Sequence, residues 1–127
     1  MKVIIYSSDP KFKPIELEAY NWRHPQYIDI NDKDLPGYLY SYAHNYVNYR
    51  WHVAEPIIIK DAIWAYLYAR DVIRGRWKEA EEVIKKNYDA AYCYSLDVMH
   101  KRWLEAEAVI QENTNAWLAY RLHWGFK

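Results

Sequence analysis

The sequence predicts an all-α protein, a short α-solenoid of stacked helical hairpins. Three observations support this prediction. The dipeptide Arg-Trp recurs every 26 residues. An Ala-Glu pair follows each of these tryptophans at a constant distance, and a tyrosine keeps the same step. A fixed period between roughly 20 and 50 residues is typical of repeat architectures. The repeated positions are Arg50, Trp51 and Glu55; Arg76, Trp77 and Glu81; Arg102, Trp103 and Glu107; and Tyr42, Tyr68, Tyr94 and Tyr120.

Each repeat unit predicts two short helices. Three units and a C-terminal half-repeat cap align without gaps, at residues 38–63, 64–89, 90–115 and 116–127. In the middle unit, one face of the first helix has the spacing i, i+3, i+4, i+7 and comprises Ala65, Tyr68, Ala69 and Val72. The second half, from Trp77 onward, predicts a second helix with an apolar inner face. One hairpin cannot bury its own apolar face, so we expect the units to stack.

Particular residues mark the ends of the predicted helices. We predict that Gly75 is the C-cap of the first helix in the middle unit, because glycine adopts the left-handed conformation common at this position. Tyr49 and Lys101 hold the equivalent positions, so glycine is convenient there rather than required. Asn87 and Asp89 predict the break before the next unit, since Asn and Asp cap helix N-termini.

Residues 1–33 do not fit the repeat. Because terminal repeats of a stack are atypical, we expect them to form an N-terminal cap or a degenerate unit. The apolar run Val3–Tyr6 predicts a short β-strand with an exposed edge. We expect a helix at Ile15–Trp22 and a degenerate unit at His24–Asp32. Trp22 echoes the repeat, but it precedes the next repeated tryptophan by 29 residues instead of 26.

The composition favours a single folded domain over residues 1–127. Apolar residues make up 52% of the chain, which argues against disorder. The 17 basic and 17 acidic residues cancel, which removes the overall charge typical of nucleic-acid and membrane-surface binders. Cys93 is the only cysteine, so no intramolecular disulfide can form. The N-terminal apolar run is too short for a signal peptide or a membrane span, and we therefore expect a cytoplasmic protein with no membrane partner.

The sequence contains no motif for catalysis or cofactor binding. The five histidines lack the spacing of a metal site, and with only three glycines a phosphate-binding loop is nearly excluded. Cys93 lies in the middle of a predicted helix, where a structural role is expected instead of a nucleophilic one. We predict that the protein is not an enzyme and has no metal and no cofactor.

A second stripe along the first helices is the candidate binding surface. Its residues are Tyr40, His44, Tyr66, Arg70 and Tyr92. Exposed tyrosine beside arginine is the composition of a protein-binding hot spot, and tyrosine rings also stack on bases. The competing interpretation places these rings in the core between units.

The repeated arginines and glutamates are predicted to be structural. A catalytic pair occurs once in a chain, whereas a ladder of identical pairs is a packing device. We expect each arginine to cap carbonyls at the hairpin turn or to pair with a glutamate of its own or the next unit. Asp71 and Asp97 are expected to cap helices or to pair between units.

The repeat also resembles a class of sequences. Residues 38–127 resemble tandem repeats in predicted proteins of tailed bacteriophages and other viruses, whose units read approximately Trp-Ala-Tyr-x-Tyr-Ala-x-Asp-Val-Ile-x-Gly-Arg-Trp-x-Glu-Ala-Glu. Trp64–Glu81 matches this pattern best, whereas the first unit departs from it with Asn45 for the aspartate and Tyr49 for the glycine. The resemblance implies a phage origin and assigns no functional residue.

The leading functional hypothesis is a non-enzymatic interaction module that binds a host or phage protein. A first alternative is a nucleic-acid or nucleotide binder that uses the aromatic stripe with Arg70, Arg74 and Arg76, although the zero net charge counts against it. A second alternative is a self-assembling structural protein, in which the predicted edge strand and the C-terminal half-unit join copies end to end.

Overall fold

The protein is mostly helical, with a small three-stranded sheet at its N-terminal end. The computed structural model describes residues 2–18 and 27–126. The sheet has the strand order β2-β1-β3, with β1 at Lys2–Tyr6, β2 at Ile15–Glu18 and β3 at Tyr27–Asp29. β1 pairs antiparallel with β2 and parallel with β3.

The N-terminal predictions are partly wrong. The strand over Val3–Tyr6 is confirmed, but it is the central strand of the sheet and has no exposed edge. The helix expected from Ile15 is a strand over Ile15–Glu18, because its apolar and acidic residues alternate with the period of a half-buried strand. The expected degenerate unit contains β3 instead, while Trp22 and the other residues of 19–26 lie outside the described residues.

Seven α-helices follow within the described part of the chain: α1 (Leu35–Tyr42), α2 (Glu55–Ile58), α3 (Ala62–Tyr68), α4 (Glu81–Ile84), α5 (Tyr88–Tyr94), α6 (Glu107–Ile110) and α7 (Thr114–Trp124). Three of them, α1, α3 and α5, continue directly into π-helical turns at Ala43–Val47, Ala69–Ile73 and Ser95–Met99. The second helix predicted from Trp77 is shorter than expected. It consists of a 3₁₀ turn at Lys78–Ala80 followed by α4, and Leu104–Ala106 repeats this turn before α6.

The first helix of the middle unit ends at Arg74, so the predicted cap at Gly75 is wrong by one residue. The Arg74 N–H donates to the carbonyl of Ala69, five residues back, at 2.8 Å. This π-type bond brings Arg74 into the left-handed conformation, with φ of 61°. Asn48 and His100 adopt the same conformation at the equivalent positions, so glycine is not needed there.

The N-caps of the first helices keep the 26-residue step, at Asp61, Asn87 and Asn113. Asn87 accepts hydrogen bonds from the N–H groups of Asp89 and Ala90, which confirms its predicted role. A side-chain oxygen in this place satisfies backbone donors that have no partner inside the helix. These caps start α3, α5 and α7 at corresponding positions of successive units.

The first helices pack on one another in chain order. α1 contacts α3, α3 contacts α5 and α5 contacts α7, and each of α1, α3 and α5 also contacts the short second helix of its own hairpin. The predicted apolar face is confirmed, since Ala65, Tyr68 and Ala69 are fully buried. The close approach of α1 to α3 depends on Gly37, where an added Cβ would lie 2.7 Å from the Trp64 ring.

The N-terminal sheet belongs to the same core. Its buried side chains, which include Val3 and Ile5, form one apolar cluster with Leu35 and Leu39 of α1. The cluster continues to Tyr120 in α7. None of the helices within residues 2–18 and 27–126 combines the length and the apolar character needed to cross a bilayer.

Candidate functional site

A tyrosine hydroxyl ties each hairpin to the first helix of the next unit. The Tyr94 hydroxyl donates to Glu81 Oε2 at 2.7 Å, and it accepts the Trp77 N–H at 2.9 Å. Glu81 also accepts two hydrogen bonds from the Arg76 guanidinium, at 2.9 and 2.8 Å. We call this set of four residues the Tyr–Glu junction. It occurs three times, as Arg50, Trp51, Glu55 and Tyr68; as Arg76, Trp77, Glu81 and Tyr94; and as Arg102, Trp103, Glu107 and Tyr120.

Each junction tyrosine contacts two hairpins at once. The Tyr94 ring packs on Trp103 of its own unit, with ring centroids 5.1 Å apart, while its hydroxyl bonds to the preceding unit. Tyr68 packs on Trp77 in the same way, at 4.9 Å. In the last junction the Tyr120 ring contacts Phe126 at 5.8 Å. One side chain therefore supplies apolar contact to one hairpin and a hydrogen bond to its neighbour.

The charges of the junction are held in place by these bonds. Burial acts to raise the pKa of Glu55, but hydrogen bonds from Arg50 and Tyr68 outweigh it and keep the pKa below its ordinary value. Burial and the hydrogen bond to Glu107 raise the pKa of Tyr120 to about 12. The carboxylates are therefore ionised at neutral pH and the phenols are protonated. Because the pKa values of both groups lie far from neutral pH, the junction is unsuited to acid–base catalysis.

The predicted binding stripe forms a second network between units. The Tyr40 hydroxyl donates to Asp71, and the Tyr66 hydroxyl donates to Asp97, in each case 31 residues further along the chain. Arg70 donates twice to Asp71, at 2.8 and 2.9 Å, and once to the Tyr66 hydroxyl at 3.1 Å. These side chains therefore form one continuous chain of hydrogen bonds across three units, which we call the Tyr–Asp network.

The stripe is not the exposed ladder that the binding hypothesis requires. Tyr66 is only 6% exposed, and Tyr40 and Tyr92 are half-buried. His44 is exposed and stacks on the Tyr40 ring at 5.9 Å. Arg70 is exposed, but Asp71 and Tyr66 engage its guanidinium nitrogens. The tyrosines of the stripe lie toward the next unit, in line with the competing interpretation of the sequence, whereas His44 and Arg70 lie at its exposed margin.

The Tyr–Asp network does not continue into α7, where leucine replaces the repeated tyrosine. In the 26-residue alignment Leu118 stands where Tyr40, Tyr66 and Tyr92 stand in earlier units, and Leu122 stands where His44, Arg70 and Leu96 stand. Leu118 and Leu122 are exposed, at 47% and 73%. Sequence reasoning missed this change, although the alignment already contains it.

Comparison with protein-family models, with curated proteins and with solved structures finds no match. Within the described ranges, no group of three or more His, Cys, Asp or Glu residues is placed to hold a metal ion. Cys93 is half-buried, and burial raises the pKa of its thiol to about 11. A thiol that stays protonated at neutral pH is a poor nucleophile.

Two equivalent grooves lie between successive second helices. The first has a volume of about 390 Å³ and is lined by Arg50, Pro56, Ile59 and Trp77, among others. The second, one unit later, has about 180 Å³ and is lined by Arg76, Glu82, Lys85 and Trp103, among others. Lys85 and Glu82, three residues apart at α4, form an ion pair at 3.0 Å on one wall of the second groove, and the equivalent residues of the first groove are apolar.

A third cavity, of about 370 Å³, lies between the sheet and α1. Its lining includes Tyr6, Tyr27 and Tyr38 together with Asp29, Asp32 and Asp34. The carboxylates of Asp29 and Asp32 accept backbone N–H groups two residues further along the chain, at 2.8 and 2.9 Å. This is the geometry of side chains that stabilise a turn, here the turn that leads from β3 into α1.

Proposed function

We propose that this protein is a non-enzymatic interaction module, a short α-solenoid that binds a host or phage protein. The observation that carries the proposal is the commitment of the repeated polar side chains to contacts between units. The arginines, glutamates and tyrosines of the junctions satisfy one another, as do the tyrosines and aspartates of the second network. Side chains that bond to one another in this way favour a scaffold over an active site.

The repetition of one junction at three successive hairpins supports the solenoid. In each junction the tyrosine hydroxyl of one unit bonds to the glutamate side chain and the tryptophan N–H of the preceding unit, as expected for a stack in which every repeat contacts its neighbours. The resemblance of residues 38–127 to phage repeats supports an accessory protein that acts in the host cytoplasm. No cofactor is proposed.

Self-assembly is the second candidate, and the exposed Leu118 and Leu122 on α7 favour it. The hypothesis also uses an open strand edge at Val3–Tyr6, and this part of it is wrong because β1 pairs with a strand on each side. The nucleic-acid alternative loses two of its cations, because Arg70 pairs with Asp71 and Arg76 pairs with Glu81. Neutralised arginines contribute little to phosphate binding.

Affinity capture of the tagged protein from bacterial lysate, with and without nuclease, tests the proposal by mass spectrometry. We expect a stoichiometric protein partner that survives nuclease treatment. Nuclease-sensitive recovery would overturn the proposal in favour of nucleic acid. Recovery of the bait alone, together with a mass that rises with concentration in light scattering, would overturn it in favour of self-assembly.

A further inference from the structure

The cavity between the sheet and α1 is lined by aromatic and apolar side chains. Tyr6 and Tyr27 come from the paired strands β1 and β3, and Tyr38 comes from α1. The buried Ile28 and Leu35 line it as well. Its volume of about 370 Å³ lies at the lower end of the roughly 300–1,000 Å³ that ligand pockets occupy. The cavity therefore suits one small group that makes aromatic and apolar contacts.

Three carboxylates complete the lining, so we call this space the acidic cavity. Asp29 is the last residue of β3, Asp32 lies in the connection that follows, and Asp34 is the N-cap residue of α1. Among the described residues that line the cavity there is no lysine, arginine or histidine. The lining thus carries three formal negative charges and no positive charge.

The cavities of the repeat units differ from the acidic cavity in their charge balance. Arg50 pairs with Glu55 in the lining of the first groove, and Arg76 pairs with Glu81 in the lining of the second. Lys33 lies between two of the aspartates in sequence, but it lines a separate cavity. A concave site lined by charges of one sign attracts ions of the opposite sign. The acidic cavity therefore favours a positively charged ligand.

The carboxylates of the acidic cavity are held in place and still have acceptors to offer. The Asn31 N–H donates to Asp29 Oδ1 at 2.8 Å, and the Asp34 N–H donates to Asp32 Oδ1 at 2.9 Å. The Asp34 side chain makes no capping bond to α1. A carboxylate can accept about four hydrogen bonds, so the connection orients these groups and leaves oxygen atoms for a ligand.

The arrangement favours a guanidinium group over a metal ion or an ammonium group. Within residues 2–18 and 27–126, no three carboxylates are placed to hold one metal ion. A cation that contacts several of them therefore carries donors at more than one position. Guanidinium is planar, presents five N–H donors and stacks on aromatic rings, whereas ammonium is a compact point charge. Rings and separate carboxylates in one cavity fit the first of these chemistries.

We propose that the acidic cavity binds the guanidinium group of an arginine side chain in the partner protein. The aspartates accept its N–H groups, the tyrosine rings contact its plane, and the apolar lining contacts its methylene stem. This inference rests on the proposed function and names the chemistry by which the partner is recognised. Free small molecules with a guanidinium group share this chemistry, so the experiments separate the two sources.

Titration with three short peptides tests the chemistry. Acetylated and amidated Gly-Arg-Gly carries the guanidinium group. The same peptide with citrulline is its uncharged isostere, and the peptide with lysine carries an ammonium group. We expect the arginine peptide to shift the amide NMR signals of Tyr27, Asp29 and Asp34, the citrulline peptide to bind at least about tenfold more weakly, and the lysine peptide to lie between them.

Each peptide can overturn one part of the proposal. No shift at these amides with the arginine peptide would remove the site. Equal affinity for the citrulline peptide would show that charge is not recognised, and equal affinity for the lysine peptide would show that the guanidinium group is not.

Asparagine substitutions remove the charge and keep the connection between β3 and α1. The combined variant Asp29→Asn, Asp32→Asn and Asp34→Asn retains the Oδ1 acceptors, so we expect it to fold, as circular dichroism can verify. We expect it to bind the arginine peptide at least about tenfold more weakly. Its control has the same change in net charge at three exposed glutamates outside the cavity, through Glu79→Gln, Glu105→Gln and Glu112→Gln. Equal weakening in both variants would refute the site in favour of overall charge.

The aromatic wall has a test of its own. Tyr27 is 64% exposed, so Tyr27→Leu removes a ring without opening the core. We expect this variant to bind the arginine peptide several-fold more weakly and to bind the citrulline peptide nearly as before, because the attraction between ring and cation is lost. Unchanged affinity for the arginine peptide would contradict the role of the ring.

Capture from lysate distinguishes this proposal from the proposed function. We expect the combined asparagine variant to capture the partner at least about tenfold less than the unaltered protein does. Equal capture by both would overturn the partner as the source of the arginine, while the interaction module stands. If the unaltered protein captures no protein and still binds the arginine peptide, the proposed function fails. The source of the guanidinium group is then a free small molecule, and this part of the inference is wrong.

Discussion

The Tyr–Glu junction and the Tyr–Asp network both connect successive units, but only the junction is complete at every step. The junction has the same four residue types in all three copies. The Tyr–Asp network has two tyrosine–aspartate bonds, and at its C-terminal end it meets Leu118 and His123, where earlier units have tyrosine and aspartate. The contacts that recur in all three copies connect every pair of successive units, whereas the contacts of the Tyr–Asp network differ from unit to unit.

Acidification should have the largest effect, because it acts on all three junctions together. Glu55, Glu81 and Glu107 have folded pKa values below their ordinary 4.5. The unfolded chain therefore takes up protons first, so their stabilisation is present above about pH 4.5 and is lost as the pH falls through the folded pKa values. Urea unfolding from pH 7 to pH 3 measures the loss of free energy of unfolding.

The aspartate network should respond at lower pH than the junctions. Hydrogen bonds from Arg70, partly opposed by burial, and a further one from Tyr40 lower the pKa of Asp71 from an ordinary value of 3.8. Glu81→Gln should therefore reduce the fall in the free energy of unfolding that begins just below pH 4.5. Asp71→Asn should reduce this fall only below about pH 3.8. An unchanged pH profile in Glu81→Gln would contradict the central role of the junction.

Removal of one junction carboxylate should have the next largest effect. Glu81→Ala leaves the Arg76 guanidinium and the Tyr94 hydroxyl without their acceptor. We expect the free energy of unfolding to fall by about 3 kcal/mol, since hydrogen bonds to charged groups contribute about 1.5–3 kcal/mol. Urea denaturation measures the change, with the exposed Glu79→Ala as the matched control.

A series of hydroxyl deletions ranks the two networks directly. Tyr94→Phe loses a donor to Glu81 and an acceptor for the Trp77 N–H, so we expect the free energy of unfolding to fall by about 2 kcal/mol. Tyr66→Phe loses the bond to Asp97 and a weaker one from Arg70, and about 1 kcal/mol is expected. Tyr92→Phe should change stability by less than about 0.5 kcal/mol, because no aspartate stands opposite it in α7. A larger cost for Tyr66→Phe than for Tyr94→Phe would reverse our ranking.

An ion pair outside both networks should matter least. Lys85→Ala removes the pair with Glu82 on the wall of the second groove, and exposed pairs contribute only about 0–1 kcal/mol. We expect the midpoint of urea denaturation to remain nearly unchanged. The same substitution should widen the second groove toward the dimensions of the first, where proline and isoleucine stand instead.

The sequence predicted the repeat positions well because they depend on spacing alone. The constant step placed Trp77, Glu81 and Tyr94 in register, and the apolar face with Ala65 and Ala69 is buried as expected. It did not predict that a tyrosine would bond to a glutamate 13 residues earlier. That contact depends on how closely two units approach, and the period alone carries no information about it.

Other features lacked a local signal or had one that was misread. The residues in left-handed conformation are Asn48, Arg74 and His100, which share no side-chain chemistry, because the backbone bond of the π-helical turn sets their conformation. The residues Ile15–Glu18 alternate between apolar and acidic, which is a strand signal, and the helix predicted from Ile15 disregards it. The exposure of the stripe with Tyr66 stayed open between a binding surface and the core between units, because one sequence does not reveal which side of a helix its neighbour covers.

The short reach of the junctions has a consequence for how the chain folds. The carboxylate of each hairpin receives its tyrosine from a residue only 13 positions later. Chains rich in such local contacts fold fast, since little loop entropy is lost before a contact forms. We therefore expect each junction to form once the next first helix has been synthesised, so that the helical part assembles from its N-terminal to its C-terminal end.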